Sequence, residues 1–176
     1  MSTKQMKYDA EARHEFRQGV EKLSKAVAVT MGPSGRNVVV QKSFGGPSIT
    51  KDGISVAKEI ELSEPFQNMG AKMVHQVAKK TADLAGDGTS SATILADAIY
   101  SAGLRHITAG ANAVAVQRGI NDAAAAAGAF VDEMAAPCKG KGDLQKVATV
   151  SANHDGEIGK LIAEAIHKVG AEGVVE

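Results

Sequence analysis

The ten residues Gly86-Asp87-Gly88-Thr89-Ser90-Ser91-Ala92-Thr93-Ile94-Leu95 constrain this chain more than any other stretch. They read as a tight glycine turn that opens directly into a helix. The two glycines permit backbone angles and a closeness of approach that a β-carbon forbids. A helix that starts there offers unbonded N–H groups and the positive end of its dipole, which together attract anions. Thr89, Ser90 and Ser91 put three hydroxyls in its first turn. Asp87 stands just ahead, where a carboxylate can hold a cation beside a phosphate. These residues alone leave two readings open: a phosphate-and-magnesium site, or an ordinary helix start capped by Asp87 or Thr89.

The rest of the composition sets the frame for that turn. Hydrophobic residues make up 44% of the chain and aromatics only 3%, with no Trp. The core must therefore come from aliphatic and Met side chains, which suits close-packed helices. A length of 176 residues fits one domain, or one domain with a piece of another. Lys+Arg and Asp+Glu number 20 each, so the formal net charge is zero. That balance gives no support to nucleic acid or an anionic membrane as a partner. It also protects weakly against association, which suits an oligomer. Cys138 is the single cysteine and cannot form an internal disulfide. The charged N-terminus does not resemble a signal peptide, and no window holds 18 apolar residues, so a cytoplasmic location is expected.

In chain order, Phe16, Val20, Leu23 and Val27 mark one face of a helix over residues 9–29. Gly32-Pro33-Ser34-Gly35 ends it. The β-branched run 36–41 and the segment 48–50 predict two short strands of a hairpin. Lys51-Asp52-Gly53 predicts a turn. Ser63 is expected to cap a helix with Pro65 in its first turn and Phe66, Met69, Met73, Val77 and Leu84 buried. After the Gly86–Gly88 turn, a helix to about residue 109 should bury Ala92, Leu95, Ala96, Ile99 and Ala102. Asn112 should cap a helix that buries Val116, Ile120, Ala123, Ala127, Phe130 and Met134, closed by Pro137. Lys139-Gly140-Lys141-Gly142 reads as a flexible connector and a domain boundary. A short helix follows near residues 144–148. Asp155 should cap a last helix with Ile158, Leu161, Ile162, Ala165 and Val169 inward, ending at Gly170. Val174-Val175-Glu176 begins a strand without a partner, so the C-terminus is expected to be cut within a unit.

Four Gly-rich polar turns, around Gly32, Gly45, Asp52-Gly53 and Asp87-Gly88, would form a backbone cradle for phosphates if they converge. Asp52 and Asp87 would then be carboxylates for binding a metal or orienting a water. The plainer alternative makes each Asp-Gly a turn and nothing more. No P-loop, dinucleotide fingerprint or nucleophile elbow is present. His14, His75, His106, His154 and His167 are scattered and do not suggest a zinc site.

Several ordered motifs together closely resemble the group I chaperonins, the GroEL type. They are Thr30-Met31-Gly32-Pro33-Ser34-Gly35-Arg36-Asn37-Val38, Lys42-Ser43-Phe44-Gly45-Gly46-Pro47, Thr50-Lys51-Asp52-Gly53-Ile54-Ser55-Val56 and Ala85-Gly86-Asp87-Gly88-Thr89-Ser90-Ser91. The likeness continues through Asn68-Met69-Gly70-Ala71, Arg118-Gly119-Ile120 and Ser151-Ala152-Asn153, and so covers essentially the whole chain. Ser90 and Ser91 stand where the family usually has Thr, and Ser34 where it commonly has Lys.

The resemblance implies a mainly α fold: a multihelical equatorial-type domain with a small β-hairpin over residues 1–135, then the first segment of an α/β intermediate domain over 136–176. It implies ATP with Mg2+, and K+ as a further ion. Thr30, Met31, Gly32 and Pro33 would wrap the phosphates, with Lys51 beside them. Asp87 would ligate the metal, while Gly88, Thr89, Ser90 and Ser91 would donate hydrogen bonds. Asp52 would orient the attacking water, and Ser151 would approach from the intermediate segment. Rings of identical subunits, unfolded protein substrates and a co-chaperonin are the implied partners. The chain resembles only the first third of such proteins. It lacks the apical domain, the returning intermediate half with a catalytic Asp, and the equatorial half that contacts base and ribose. Little ATPase or refolding activity is therefore expected of these residues alone. The alternatives are a non-catalytic truncated subunit acting as a structural or interaction protein, and a stand-alone phosphate-binding module.

Overall fold

A computed structural model describes residues 4–42, 45–170 and 173. The chain divides into two compact units, Met1–Ile120 and Asn121–Glu176. The expected strand at Val174-Val175-Glu176 lies outside the described residues.

The first unit is built on helix α1 (Asp9–Ala28), whose Val20, Leu23 and Val27 are fully buried as their spacing predicts. Each such side chain contributes about 1.5–3 kcal/mol on leaving water. With Ala57, Ala71 and Val74 they form the core, and Phe16, Ile60, Leu62, Ala96 and Tyr100 pack around it. Strands β1 (Val38–Val40) and β2 (Ser48–Thr50) make the expected antiparallel hairpin, with Val38 opposite Thr50 and Val40 opposite Ser48. The turn predicted at Asp52-Gly53 instead starts a short helix, α2 (Gly53–Glu59). Seven residues are too few to display a helical period, and only Val56 and Ala57 among its larger side chains are buried.

Helix α3 (Pro65–Ala85) has Pro65 in its first turn, as expected. Its cap is Glu64 rather than Ser63, with the Glu64 carboxylate accepting from the Gln67 N–H at 2.7 Å. The buried face is also different. Gly70, Ala71, Val74 and Ala78 point inward, while Met69, Met73, Val77 and Leu84 are exposed and Phe66 is half-buried. The reason is the crossing with α1. A β-carbon at Gly70 would overlap the Phe16 carbonyl oxygen, and one at Gly19 would overlap that of Gln67. Two backbones this close admit only small residues between them, so the bulky row turns away.

Helix α4 (Thr89–Thr108) repeats the pattern. Thr93 is its buried residue, and Ala96 and Tyr100 reach the core. The Tyr100 ring lies 5.5 Å from that of Phe16, tilted by 57°. Leu95 and Ile99, expected inward, are exposed, and Ala92 and Ala102 are half-buried. Asn112 caps α5 (Ala113–Met134) as predicted, accepting from Val114 N–H at 2.9 Å and Ala115 N–H at 3.1 Å. No residue of α5 is buried, so its expected stripe of Ile120, Ala123, Ala127, Phe130 and Met134 is open, with Val116 half-buried.

The second unit pairs α6 (Gly140–Ser151) with α7 (Gly156–Val169). The supposed connector is part of a helix: Lys139 occupies the cap position and Gly140, Lys141 and Gly142 form the first turn. Asp143 holds that start by accepting from the Lys139 N–H at 3.1 Å. Asp155 caps α7 as expected, accepting from Glu157 and Ile158 N–H at 3.0 Å each. Ala148, Gly159 and Ala163 are buried between the helices. Ile158, Leu161, Ile162 and Val169 are exposed instead, and Ala165 is half-buried. Among the described residues, no helix is long and apolar enough to cross a membrane.

Candidate functional site

The start of α4 shows how the glycine turn enters its helix. Gly86 and Gly88 have φ of 73° and 81°, a left-handed conformation that favours glycine. Gly88 itself is the cap residue and has no side chain with which to cap the helix. Asp87 Oδ1 accepts from the Gly88 N–H at 2.6 Å, one residue before the helix. Thr89 contributes inward order: its carbonyl accepts from the buried Thr93 hydroxyl at 2.8 Å. The first-turn amides thus lie at the positive end of a 20-residue helix, with no cap from the Gly88 position itself.

The start of α2 is made differently. Asp52 Oδ2 accepts from the Ser55 N–H at 3.1 Å and the Ser55 hydroxyl at 2.6 Å, and Oδ1 accepts from the Ile54 N–H at 3.4 Å. Asp52 is a helix cap, not the simple turn residue of the plainer alternative. Its carboxylate stays exposed, and two oxygens accepting three bonds leave a lone pair for another donor. Thr50 holds it in place, its hydroxyl accepting from the Asp52 N–H at 3.0 Å. Lys51 lies exposed between them.

The two helix starts meet. A β-carbon at Gly53 would overlap Ser90 Oγ and would come 3.0 Å from Val27 Cγ1. That contact joins the Asp52 turn, the first turn of α4 and the end of α1. Three residues beyond Val27, the buried Thr30 donates its hydroxyl to the Val27 carbonyl at 2.7 Å. Thr30, Met31, Gly32 and Pro33 then form a tight turn, closed where the Gly35 N–H donates to the Gly32 carbonyl at 3.0 Å and Arg36 N–H to Val29 at 2.8 Å. Gly32 has φ of 75°. The sequence marks Gly53 only as part of an Asp-Gly turn in the phosphate cradle, not as a contact between helices. An Asp-Gly pair was its only signal, and that signal does not distinguish a turn from a helix–helix contact. Ser151 ends α6 in the other unit and is exposed.

The donor set suits a phosphate with a hard cation. The first-turn amides of α4 and the Ser90 and Ser91 hydroxyls favour an anion. No group of three or more His, Cys, Asp or Glu among the described residues could hold a metal alone. A cation here would take Asp87 and complete its shell from ligand oxygens and water, the habit of Mg2+ beside phosphates. 

The model of the TCP-1/cpn60 chaperonin family matches residues 23–174. This chain belongs to the TCP-1/cpn60 chaperonin family. A group III chaperonin solved in the open state matches with a TM-score of 0.74 at 26% identity, over 89% of this chain and 31% of its own. The chaperonin gp146 from bacteriophage EL 2 (Pseudomonas aeruginosa), crystallised in the presence of ATP-BeFx, matches in fold with a TM-score of 0.76 at 24% identity. That match covers 94% of this chain and 29% of the phage protein. The chain thus spans about a third of the length of these chaperonins, and its mainly helical fold with a two-stranded sheet is that of the chaperonin equatorial domain.

Proposed function

We propose that this chaperonin chain is the nucleotide-gripping part of a GroEL-type, group I subunit that binds and hydrolyses ATP to drive the folding of other proteins. The observation that carries the reading is the glycine-led start of α4 pressed against the Asp52-capped start of α2 through Gly53 and Ser90. In this reading residues 1–135 belong to the equatorial domain and 136–176 to the intermediate domain. Bound ATP supplies the phosphoanhydride whose hydrolysis powers the family's cycle. Asp87 holds Mg2+, with K+ as a further ion. The amides of Gly88, Thr89, Ser90 and Ser91 and the turn from Thr30 to Pro33 hold phosphate oxygens. Lys51 balances their charge and Asp52 orients a water, and Ser151 is the residue that the family likeness adds from the intermediate segment. Rings of identical subunits in the cytoplasm, unfolded proteins and a co-chaperonin are the matching partners.

Titration calorimetry with Mg–ATP tests this. Asp87→Ala should weaken binding on the order of tenfold or more, the equivalent of about 1.4 kcal/mol. Unchanged affinity would remove Asp87 from the site. These 176 residues should turn ATP over far more slowly than a full chaperonin, and normal turnover with refolding would contradict that expectation.

One observation favours a second reading, a non-catalytic subunit that works by association. Met69, Met73, Leu95, Ile99, Phe130 and Leu161 are all 47% or more exposed, and bulky apolar side chains left in water favour association. Capture by a full-length homologous subunit without any Mg–ATP binding would favour it.

A further inference from the structure

His75 sits on α3 where that helix meets α2, and its environment is unusual for an imidazole. Its Nε2 is shut off from solvent and has no hydrogen-bond partner among the described residues. The ring borders a cavity of about 60 Å³ whose apolar wall includes Leu23 of α1, Ala57 of α2 and Ala71 of α3. A buried nitrogen without a partner is tolerable as a neutral acceptor and costly as a charged donor. The charged groups around it sharpen that asymmetry. Lys58 faces it from α2 and Glu61 lines the cavity from the segment between α2 and α3. Lys72 and Lys79 flank it on α3, and from α1 only Leu23 lines the cavity. Three ammonium groups against one carboxylate leave the joint net positive before the ring takes a proton.

We propose that His75 is an acid-sensitive latch: neutral, it lets α2 seat against α1 and α3, and protonated, it puts a cation into that joint and loosens α2. Burial, then Lys58 and Lys79, push its pKa below the ordinary histidine value of 6.5. A folded-state pKa below the unfolded one means that the unfolded chain binds more protons as pH falls past 6.5. The stabilisation is therefore complete above the unfolded pKa and is lost as pH drops through the folded pKa. Because α2 carries Asp52 and Gly53, acid would also disturb the proposed phosphate site. That consequence rests on the nucleotide reading, while the latch itself does not.

The test needs no nucleotide, so its failure is separate from failure of the ATP site. An NMR titration of the histidine ring resonances should place the His75 midpoint below 6.5. Urea unfolding at about pH 7.5 and about pH 5.5, which bracket the histidine range, should show a loss of midpoint on acidification. The non-titrating His75→Met should lose less than wild type. A His75 midpoint at or above 6.5 would overturn the latch, as would a His75→Met protein that keeps the full wild-type loss. The wild-type titration decides alone if the variant does not fold.

Discussion

At the scale of single residues, the candidate site depends on glycines more than on charged side chains. Gly88 gives the left-handed entry to α4, and Gly53 lets the start of α2 touch Ser90. Gly53→Ala should cost about 1–3 kcal/mol by overpacking. Most of the clash is with one hydroxyl oxygen, so adding Ser90→Ala should recover part of the loss, while the 3.0 Å approach to Val27 keeps recovery incomplete. Urea unfolding of the two single variants and the double variant measures the coupling. Additive losses with no recovery would mean that Gly53 and Ser90 do not meet. The carboxylates divide in role at this scale. Asp52 stabilises its own helix by accepting from Ile54 and Ser55, whereas Asp87 orders the turn through Gly88. For Asp87 a cap or a ligand was open in the sequence, whereas Asp52 read as a turn or a ligand and its capping of α2 emerges only in the fold.

At the scale of elements, helix positions and most caps were legible and helix faces were not. Asn112, Asp155 and Pro65 announced their helices because capping chemistry is local. The seven residues of α2 gave no periodic signal. The faces failed for a different reason, seen most clearly in α3. It carries two apolar rows, Met69-Met73-Val77 and Ala71-Val74-Ala78, and hydrophobicity favours the bulkier one. Packing favours the smaller row, because Gly70 and Gly19 bring α1 and α3 into backbone contact. The same choice recurs in α7, where Gly159 and Ala163 are buried and Leu161 is 67% exposed. Gly70→Ala should therefore destabilise the first unit by about 1–3 kcal/mol, outweighing the roughly 1 kcal/mol that alanine gains over glycine in a helix. Gly128→Ala in α5, with nothing within 4 Å of its β-carbon position, should show only the gain, about 0.5–1 kcal/mol. Thermal or urea unfolding of both variants reads the contrast, and equal effects at the two sites would deny the close crossing.

At the scale of the whole molecule, the family membership and the outward apolar rows belong together. The chain spans 31% and 29% of the two solved chaperonins it matches, and α3, α4 and α5 each leave a bulky row uncovered. The proposed grip on phosphate, by contrast, would be local: it would draw chiefly on three neighbouring segments of the first unit, around Thr30, Gly53 and Ser90. The motifs made that grouping legible only as a likeness. Their convergence is a matter of tertiary contact, set by the α1, α2 and α4 junction at Val27. Backbone amide NMR during addition of Mg–ATP tests the proposed grip most directly. Shifts should centre on Gly53, Gly88, Thr89, Ser90 and Ser91, and Asp87→Ala should sharply reduce them. No shift at these amides, or shifts centred elsewhere on the chain, would contradict it.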